Sequence, residues 1–399
     1  MRKIEVEPLR EILDLPEFEI VGYKVGVVNL RLNSPMKLPF GVVESRPSGV
    51  LRVDMKVGGR LVCGYGEGAT LQQPIFTDDC GENIVPNANM ILSTLNGEYD
   101  LTRLVSEVQS VEFGSNKLYP TVRMMIEMAI LDGLAKGVGT SVANLLGIDT
   151  SKGVDYGKSL GGGSFEDTNV QIINAVNKGA IKIKLKISPE SHEIVLESIK
   201  WIKREMSEVS LMVDANGTYD VESETDMMKL KEIDGLGLLM IEEPVSRVGS
   251  IRGLDAVEIM RRKLGVLKTK ICLDDCLTSV PLTVAAIEHN LADVVNIKPG
   301  RVGSIIRALE IGHMCRNKGK EVMVGGMLEA TPGRCMTNVV AAYFEQVLGF
   351  GIPGDLSLAQ ERIADDLIPV GHQLKYNLDG TIQLSSGQGW GFEDITLLQ

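Results

Sequence analysis

From about residue 153 onward, short β-rich runs recur near positions 182, 210, 237, 270, 294 and 321, with amphipathic helical stretches between them. HEIVLESIKWIKREM and SIIRALEIGHMCRNKG are two of those stretches. Strands alternating with helices at this interval build βαβ units and therefore a parallel sheet. Six or more in succession, without a Gly-rich dinucleotide fingerprint, predict a closed α/β barrel rather than an open doubly wound sheet. GKSLGGG near 158–163 lacks the lysine-serine/threonine ending of a P-loop, so nucleotide binding is not expected.

In such a barrel the C-terminal strand ends form the active-site face. Asp214 ends SLMVD, Glu242 ends LLMIE and Asp274 ends KICLD. A single acid after a strand reads first as a helix N-cap, where it meets the free N–H groups of the first turn. Three on consecutive strands read differently, because converging carboxylates repel unless a cation neutralises them. Carboxylate oxygens suit Mg2+ or Mn2+ rather than zinc or copper. Cys272 and Cys276 flank Asp274 and Asp275, but histidines 192, 289, 313 and 372 are nowhere paired at ligand spacing. The six cysteines are therefore read as buried free thiols rather than zinc ligands.

The run IKIKLKI places Ile181, Ile183, Leu185 and Ile187 on one face and Lys182, Lys184 and Lys186 on the other. A solvated edge strand shows the same alternation. In a central barrel strand the apolar face packs under the helices, which turns the lysines inward. Lys298, in VVNIKPGRVGS, also ends a strand, and counting βα units places it across the barrel from Lys186. Near a metal and another cation a lysine's neutral form is favoured, so it can act as a base. Two lysines on opposite sides of a metal-bound carboxylate could remove and return a proton at the α-carbon. The metal would carry the charge developing on the oxygens as an enediolate forms.

The flanking regions complete the layout. Residues 1–22 read as a polar extension and 23–150 as an α+β domain. In the latter, YKVGVVNLRL, a loop over 34–48 and a Gly58-Gly59 hairpin precede the helix TVRMMIEMAILDGLAKGVG. Residues 151–360 form the barrel. Residues 361–399 carry GHQLKYNLDGTIQLSSGQGWGF, a hairpin expected to return to the first domain. A net charge of −12 argues against nucleic-acid or anionic-membrane partners. No apolar stretch approaches the ~20 residues of a spanning helix, and the start has no signal-peptide core. A soluble, cytoplasmic enzyme is expected.

With these residues in place, the chain resembles the muconate-lactonizing subgroup of the enolase superfamily over roughly residues 24–395. KLK (184–186), DAN (214–216), EEP (242–244), DD (274–275), NIKPGRVG (296–303) and GGMLE (325–329) carry the resemblance, in that order. It implies a modified TIM barrel, (β/α)7β, under an N-terminal α+β capping domain completed by the C-terminal segment. It also implies Mg2+ at Asp214, Glu242 and Asp274, with acid/base duty at Lys186 and Lys298; lysine bases with Mg2+ are the general pattern of this superfamily.

GGMLEATPGR and IPGDLSLAQERIADDL are most similar to o-succinylbenzoate synthases and N-acylamino acid racemases. That likeness implies a small carboxylate substrate touched by Lys184, Ser159, Asn216, Met327, Leu328 and Phe40, the last on the capping loop. Asp275 and Arg301 would stand behind these groups, and a homo-oligomer is expected. Asp275 stands where glutamate is usual, and Ala330-Thr331-Pro332 departs from the usual pattern, which leaves pocket shape open. Muconate cycloisomerisation remains an alternative on the same scaffold. Dipeptide epimerisation is a further alternative, weakened because no Asp-x-Asp falls between 350 and 360. A metal-binding barrel without catalysis is the distant alternative, but it leaves three inward lysines without a use.

Overall fold

The computed structural model describes residues 9, 12, 14–38, 41–114, 117–161, 163–177, 179–180 and 182–395. An antiparallel sheet of order β3-β2-β1-β4 opens the chain, from β1 (Phe18–Leu38), β2 (Gly41–Val57), β3 (Arg60–Ala69) and β4 (Glu98–Tyr99). Gly58 and Gly59, at φ 53° and 83°, make the tight turn between β2 and β3. Both angles lie where a Cβ is disfavoured, so the glycine pair marks the hairpin in sequence as in structure.

Two stretches differ from the reading of the sequence. β1 begins before Tyr23, and Leu9, Ile12 and Leu15 are buried in the main core. Their three-residue spacing is hidden among charged neighbours, which made the segment look like a polar extension. The described residues of the stretch 34–48 belong to two paired strands rather than an open loop: Met36 faces Val43 and Leu38 faces Gly41, after a register shift between Arg31 and Met36. Leu32 bridges Ile363 and Asn33 N–H donates to Arg362 O at 2.8 Å, so β1 is also tied to the C-terminal segment. Phe40 lies outside the described residues.

The helix Pro120–Gly137 lies directly against β3. A Cβ on Gly64 would stand 1.9 Å from Ala129 O, and one on Gly66 2.1 Å from Met125 O. Backbone thus meets backbone, with no room for a methyl group. Gly64→Ala is expected to destabilise the protein by ~1–3 kcal/mol through overpacking, read as a lower urea midpoint; an unchanged midpoint contradicts this packing.

The second sheet holds eight parallel strands in chain order: β5 (Lys158–Leu160), β6 (Lys182–Lys186), β7 (Ser210–Asp214), β8 (Met240–Glu242), β9 (Lys270–Leu273), β10 (Val294–Ile297), β11 (Glu321–Gly325) and β12 (Ile352–Asp355). Tyr156 bridges Gly354 in parallel and Gly157 N–H donates to Gly354 O at 2.6 Å, which joins the two edges into a barrel. A helix follows each of β5 to β11 and 3-10 turns follow β12, giving (β/α)7β. The C-terminal hairpin forms around Asp379-Gly380, with Tyr376 bridging Ile382. Beyond it, Trp390 Nε1 donates to Met128 O at 2.9 Å, bringing the segment back onto the capping helix. Among the described residues no helix is long and apolar enough to cross a membrane.

Period-two alternation sorts each strand into two faces. Ile183, Leu185, Leu211, Val213, Ile241 and Val295 join the large core under the helices. Met212, Met240, Cys272, Val294 and Met323 form a separate buried layer inside the barrel. Two residues further along the same inward face stand Asp214, Glu242, Asp274, Asn296 and Gly325. The apolar layer is the floor, and the charged residues lie above it.

Glu127 ties the capping helix to the barrel, accepting from Ile306 N at 2.7 Å, while its other oxygen has no hydrogen-bond partner among the described residues. Burial pushes this carboxyl from 4.5 up to about 7. The folded state therefore keeps a proton that the unfolded chain has lost. Its contribution to stability is full below 4.5 and is lost as pH rises through about 7. Glu127→Gln removes this titration, so its stability relative to wild type should rise by up to ~3 kcal/mol between pH 4.5 and pH 8. Urea unfolding at both pH values checks it; a constant difference contradicts it.

Candidate active site

A cavity of about 620 Å³ opens above the apolar floor, lined by Lys184, Lys186, Asp214, Glu242, Asp274 and Lys298. Ser159, Asn216, Asp275, Arg301, Met327 and Leu328 line it too. All the anticipated site residues are thus brought together, Phe40 excepted because it falls outside the described residues. Between β6 and β10 lie β7, β8 and β9 on one side and β11, β12 and β5 on the other. Lys186 and Lys298 consequently face each other across the mouth.

Register sets the rest of the arrangement. Lys186 pairs with Asp214 across β6 and β7, and Asp214 pairs with Glu242 across β7 and β8. Lys186 Nζ donates to Asp214 Oδ2 at 2.5 Å and to Asn216 Oδ1 at 2.9 Å. Lys184, one inward step lower and 2% exposed, donates to Glu242 Oε2 at 2.9 Å and lies 3.2 Å from Asp355 Oδ2. Lys298 Nζ donates to Asp274 Oδ2 at 2.7 Å, and Arg301 Nη2 donates to Asp274 Oδ1 at 2.5 Å. Asp275 pairs with Arg247 at 2.8 Å and with Arg301 at 3.5 Å.

Burial and repulsion shape the charges. Burial pushes the Glu242 carboxyl up to about 8, with Asp214 and Asp274 adding to the rise against the opposing charge of Lys184. Burial alone would raise Asp274 as well, but Arg301 and Lys298 hold it well below the usual carboxylate range. Burial works against the charge of Lys298, yet Asp274 beside it keeps the ammonium above its ordinary value. Lys184 is likewise held well above it by Asp355, Glu242 and Asp214, against the effect of burial. The reason is local, because each lysine already has a carboxylate as neighbour.

Four residues of this site were not singled out from the sequence. Asp355 ends β12, a strand whose IPGD sequence carries neither alternation nor a β-rich run. Asn296 donates from Nδ2 to Glu242 Oε1 at 2.9 Å, and its own buried oxygen has no partner among the described residues. Glu243 accepts from Asp274 N at 2.7 Å and Cys276 N at 3.0 Å, fixing the turn that carries Asp274. The doubled acid in EEP was a visible signal for it. Glu67, from the capping sheet, takes Ala330 N–H and Gly333 N–H at 2.8 Å each and pairs with Arg46. It caps the helix Thr331–Ala342 from a different domain, a contact no local pattern announces.

Backbone strain collects at the same place: Asn216, Glu243 and Leu328 sit at φ 45°, 39° and 64°. Leu328 is held there as Glu329 Oε1 takes the Met327 N–H at 2.7 Å. Cys272 belongs to the barrel floor and Cys276 Sγ donates to Glu243, while Cys63 is half-buried beside Asp54 rather than buried. Among the described residues, His192, Glu193 and Glu232 are the group of three whose donor atoms all lie within 4.8 Å of one another. The cavity carboxylates are spread more widely, each turned toward its own cation.

Residues 169–394 match the family described as Enolase C-terminal domain-like. The chain is 29% identical to an o-succinylbenzoate synthase of Bacillus subtilis, over 93% of each chain. It is 29% identical to an N-succinylamino acid racemase of Thermus thermophilus, over 93% of this chain and 94% of that one. A solved structure of an enolase-superfamily member from Listeria innocua superposes with a TM-score of 0.79 at 26% identity, covering 96% of both chains.

Proposed function

The chain belongs to the enolase superfamily and is an enzyme of that group; we propose that it removes a proton from the carbon next to a substrate carboxylate, as an o-succinylbenzoate synthase, an N-succinylamino acid racemase, or both. One observation carries this reading: a lysine on each side of a single cavity, with three buried carboxylates on the strands between them.

Asp214, Glu242 and Asp274 are the residues that would hold Mg2+, or Mn2+ in its place. The donor set is all oxygen and carries more than one charge, which suits a hard divalent cation. The rise of Glu242 to about 8, caused by burial and neighbouring acids, marks a place where added positive charge is favourable. Bound there, such a cation supplies charge that offsets the negative charge developing on the substrate carboxylate.

The chain's own groups do the rest. Lys186, held by Asp214 and Asn216, takes the α-proton from its face of the substrate. Lys298, cationic beside Asp274, faces the opposite side. In racemisation Lys298 delivers a proton to that side, and the reverse direction exchanges the two roles. In dehydration Lys186 moves the proton while Lys298 stays charged and steadies the developing anion. Lys184, buried below, keeps the reacting carboxylate's end of the cavity positive.

Incubation in deuterated water separates the two reactions. One substrate is the hydroxylated cyclohexadiene carboxylate that loses water to give o-succinylbenzoate; the other is an N-succinylamino acid. Exchange at the α-carbon without loss of water from the first sinks the synthase reading. Absence of exchange at the α-carbon of the second sinks the racemase reading.

A further inference from the structure

The cations lining the cavity can be matched to partners one by one. Lys184, Lys186, Lys298 and Arg301 bond the strand-end acids, Arg247 bonds Asp275, and Arg334 pairs with Glu329. Arg362 also lines the cavity, and its side chain has no hydrogen bond or ion pair among the described residues.

Its backbone, by contrast, is fixed from both sides. Arg362 O accepts from Asn33 N at 2.8 Å, the neighbouring Ile363 bridges Leu32, and Ala364 N–H donates to Arg31 O at 2.9 Å. The guanidinium therefore projects from a seam where β1 meets the segment after β12, beside Met36, which lines the same cavity. The seam lies on the Lys184 and Lys186 side of the mouth. Burial would raise the Asp355 carboxyl, and Lys184, Lys186 and then Arg362 pull it down to about 2, so the guanidinium's field reaches that strand end.

A guanidinium on a fixed backbone, opening into a cavity and with no hydrogen-bonded carboxylate among the described residues, is suited to two-pronged recognition of a carboxylate. We infer that Arg362 is a specificity-determining residue that binds a second carboxylate on the arm of the substrate, remote from the carbon that loses its proton. The inference rests on the proposed function, which places the reacting carboxylate between Lys186 and Lys298. The preferred substrates are then dianions whose two carboxylates span the cavity from the barrel centre to the capping seam.

The test compares two ligands of nearly equal shape: an N-succinylamino acid and its N-succinamoyl counterpart, in which the remote carboxylate is a neutral amide. Affinity is measured by calorimetry, and α-proton exchange is followed in parallel, for wild type, Arg362→Met and Arg362→Lys. Wild type should favour the succinyl ligand. Arg362→Met should weaken that ligand roughly 10- to 100-fold, the range of a charged hydrogen-bonded pair, mainly in KM, and leave the succinamoyl ligand within about twofold. Arg362→Lys should recover part of the loss.

A preference unchanged in Arg362→Met, or an equal loss for both ligands, overturns the assignment. If wild type exchanges the α-proton and the preference is untouched, the recognition site is wrong and the reaction stands. If the preference depends on Arg362 and no exchange occurs, the site stands and the proposed reaction is wrong.

Discussion

Lys186→Ala and Lys298→Ala are each expected to lower turnover by roughly 100- to 10,000-fold, the range for loss of a positioned acid or base. The two losses should not be alike. In racemisation each variant keeps exchange from the enantiomer whose α-proton faces its remaining lysine, and loses exchange from the other. This follows from the placement of β6 and β10 across the barrel from each other. Proton NMR in deuterated water, run separately on the two enantiomers, reads it directly. Equal residual exchange from both enantiomers in both variants would mean that the lysines do not divide the two faces.

Lys184→Met should have the largest effect on stability. Lys184 is 2% exposed and stands 2.9 Å from Glu242, 3.2 Å from Asp355 and 3.5 Å from Asp214. Removing it leaves buried carboxylates facing one another with less opposing charge, and breaking a buried pair in this way costs on the order of 3–5 kcal/mol. The same change leaves more negative charge around Asp214 and Glu242. Added Mg2+ or Mn2+ should therefore recover more stability in the variant than in wild type, because a ligand of the folded state stabilises it by mass action. Thermal unfolding with a chelator and then with a stepwise excess of cation checks this. A variant as stable as wild type in chelator, or one indifferent to the cation, contradicts the account.

Much of the barrel could be read before its structure because its strands are simple. IKIKLK, SLMVD, LLMIE, KICLD and VVNIK each end on the residue that reaches the cavity, and period two fixes the face. The same rule that places Met212, Met240 and Cys272 on the floor places Asp214, Glu242 and Asp274 above them. β5 and β12 escaped because they are short, and β12 is interrupted by Pro353 and Gly354, so neither alternation nor a β-branched run announces them. Asp355 escaped with β12.

Long-range pairing was equally hidden. The end of β1 pairs with β2, and Asn33 just before that end bonds the backbone of Arg362, which lies far along the chain. Glu67 reaches the backbone of the helix Thr331–Ala342 from another sheet. Such contacts depend on how two domains meet, and local composition carries no record of that. The charge of a buried lysine depends on the same kind of neighbour. Charge state is set by the nearest opposite charge, and Asp274 stands beside Lys298.

The central claim is that two opposed lysines act on one carbon beside a carboxylate, with three acids between them holding a divalent cation. It is tested most directly by wild-type exchange in deuterated water, using both enantiomers of an N-succinylamino acid, with Mg2+ present, after chelation, and after Mg2+ is restored. The account predicts deuterium at the α-carbon of both enantiomers with Mg2+, none after chelation, and recovery on restoration. Absence of exchange with Mg2+ present, or exchange that survives both chelation and the Lys186→Ala/Lys298→Ala double substitution, would contradict it.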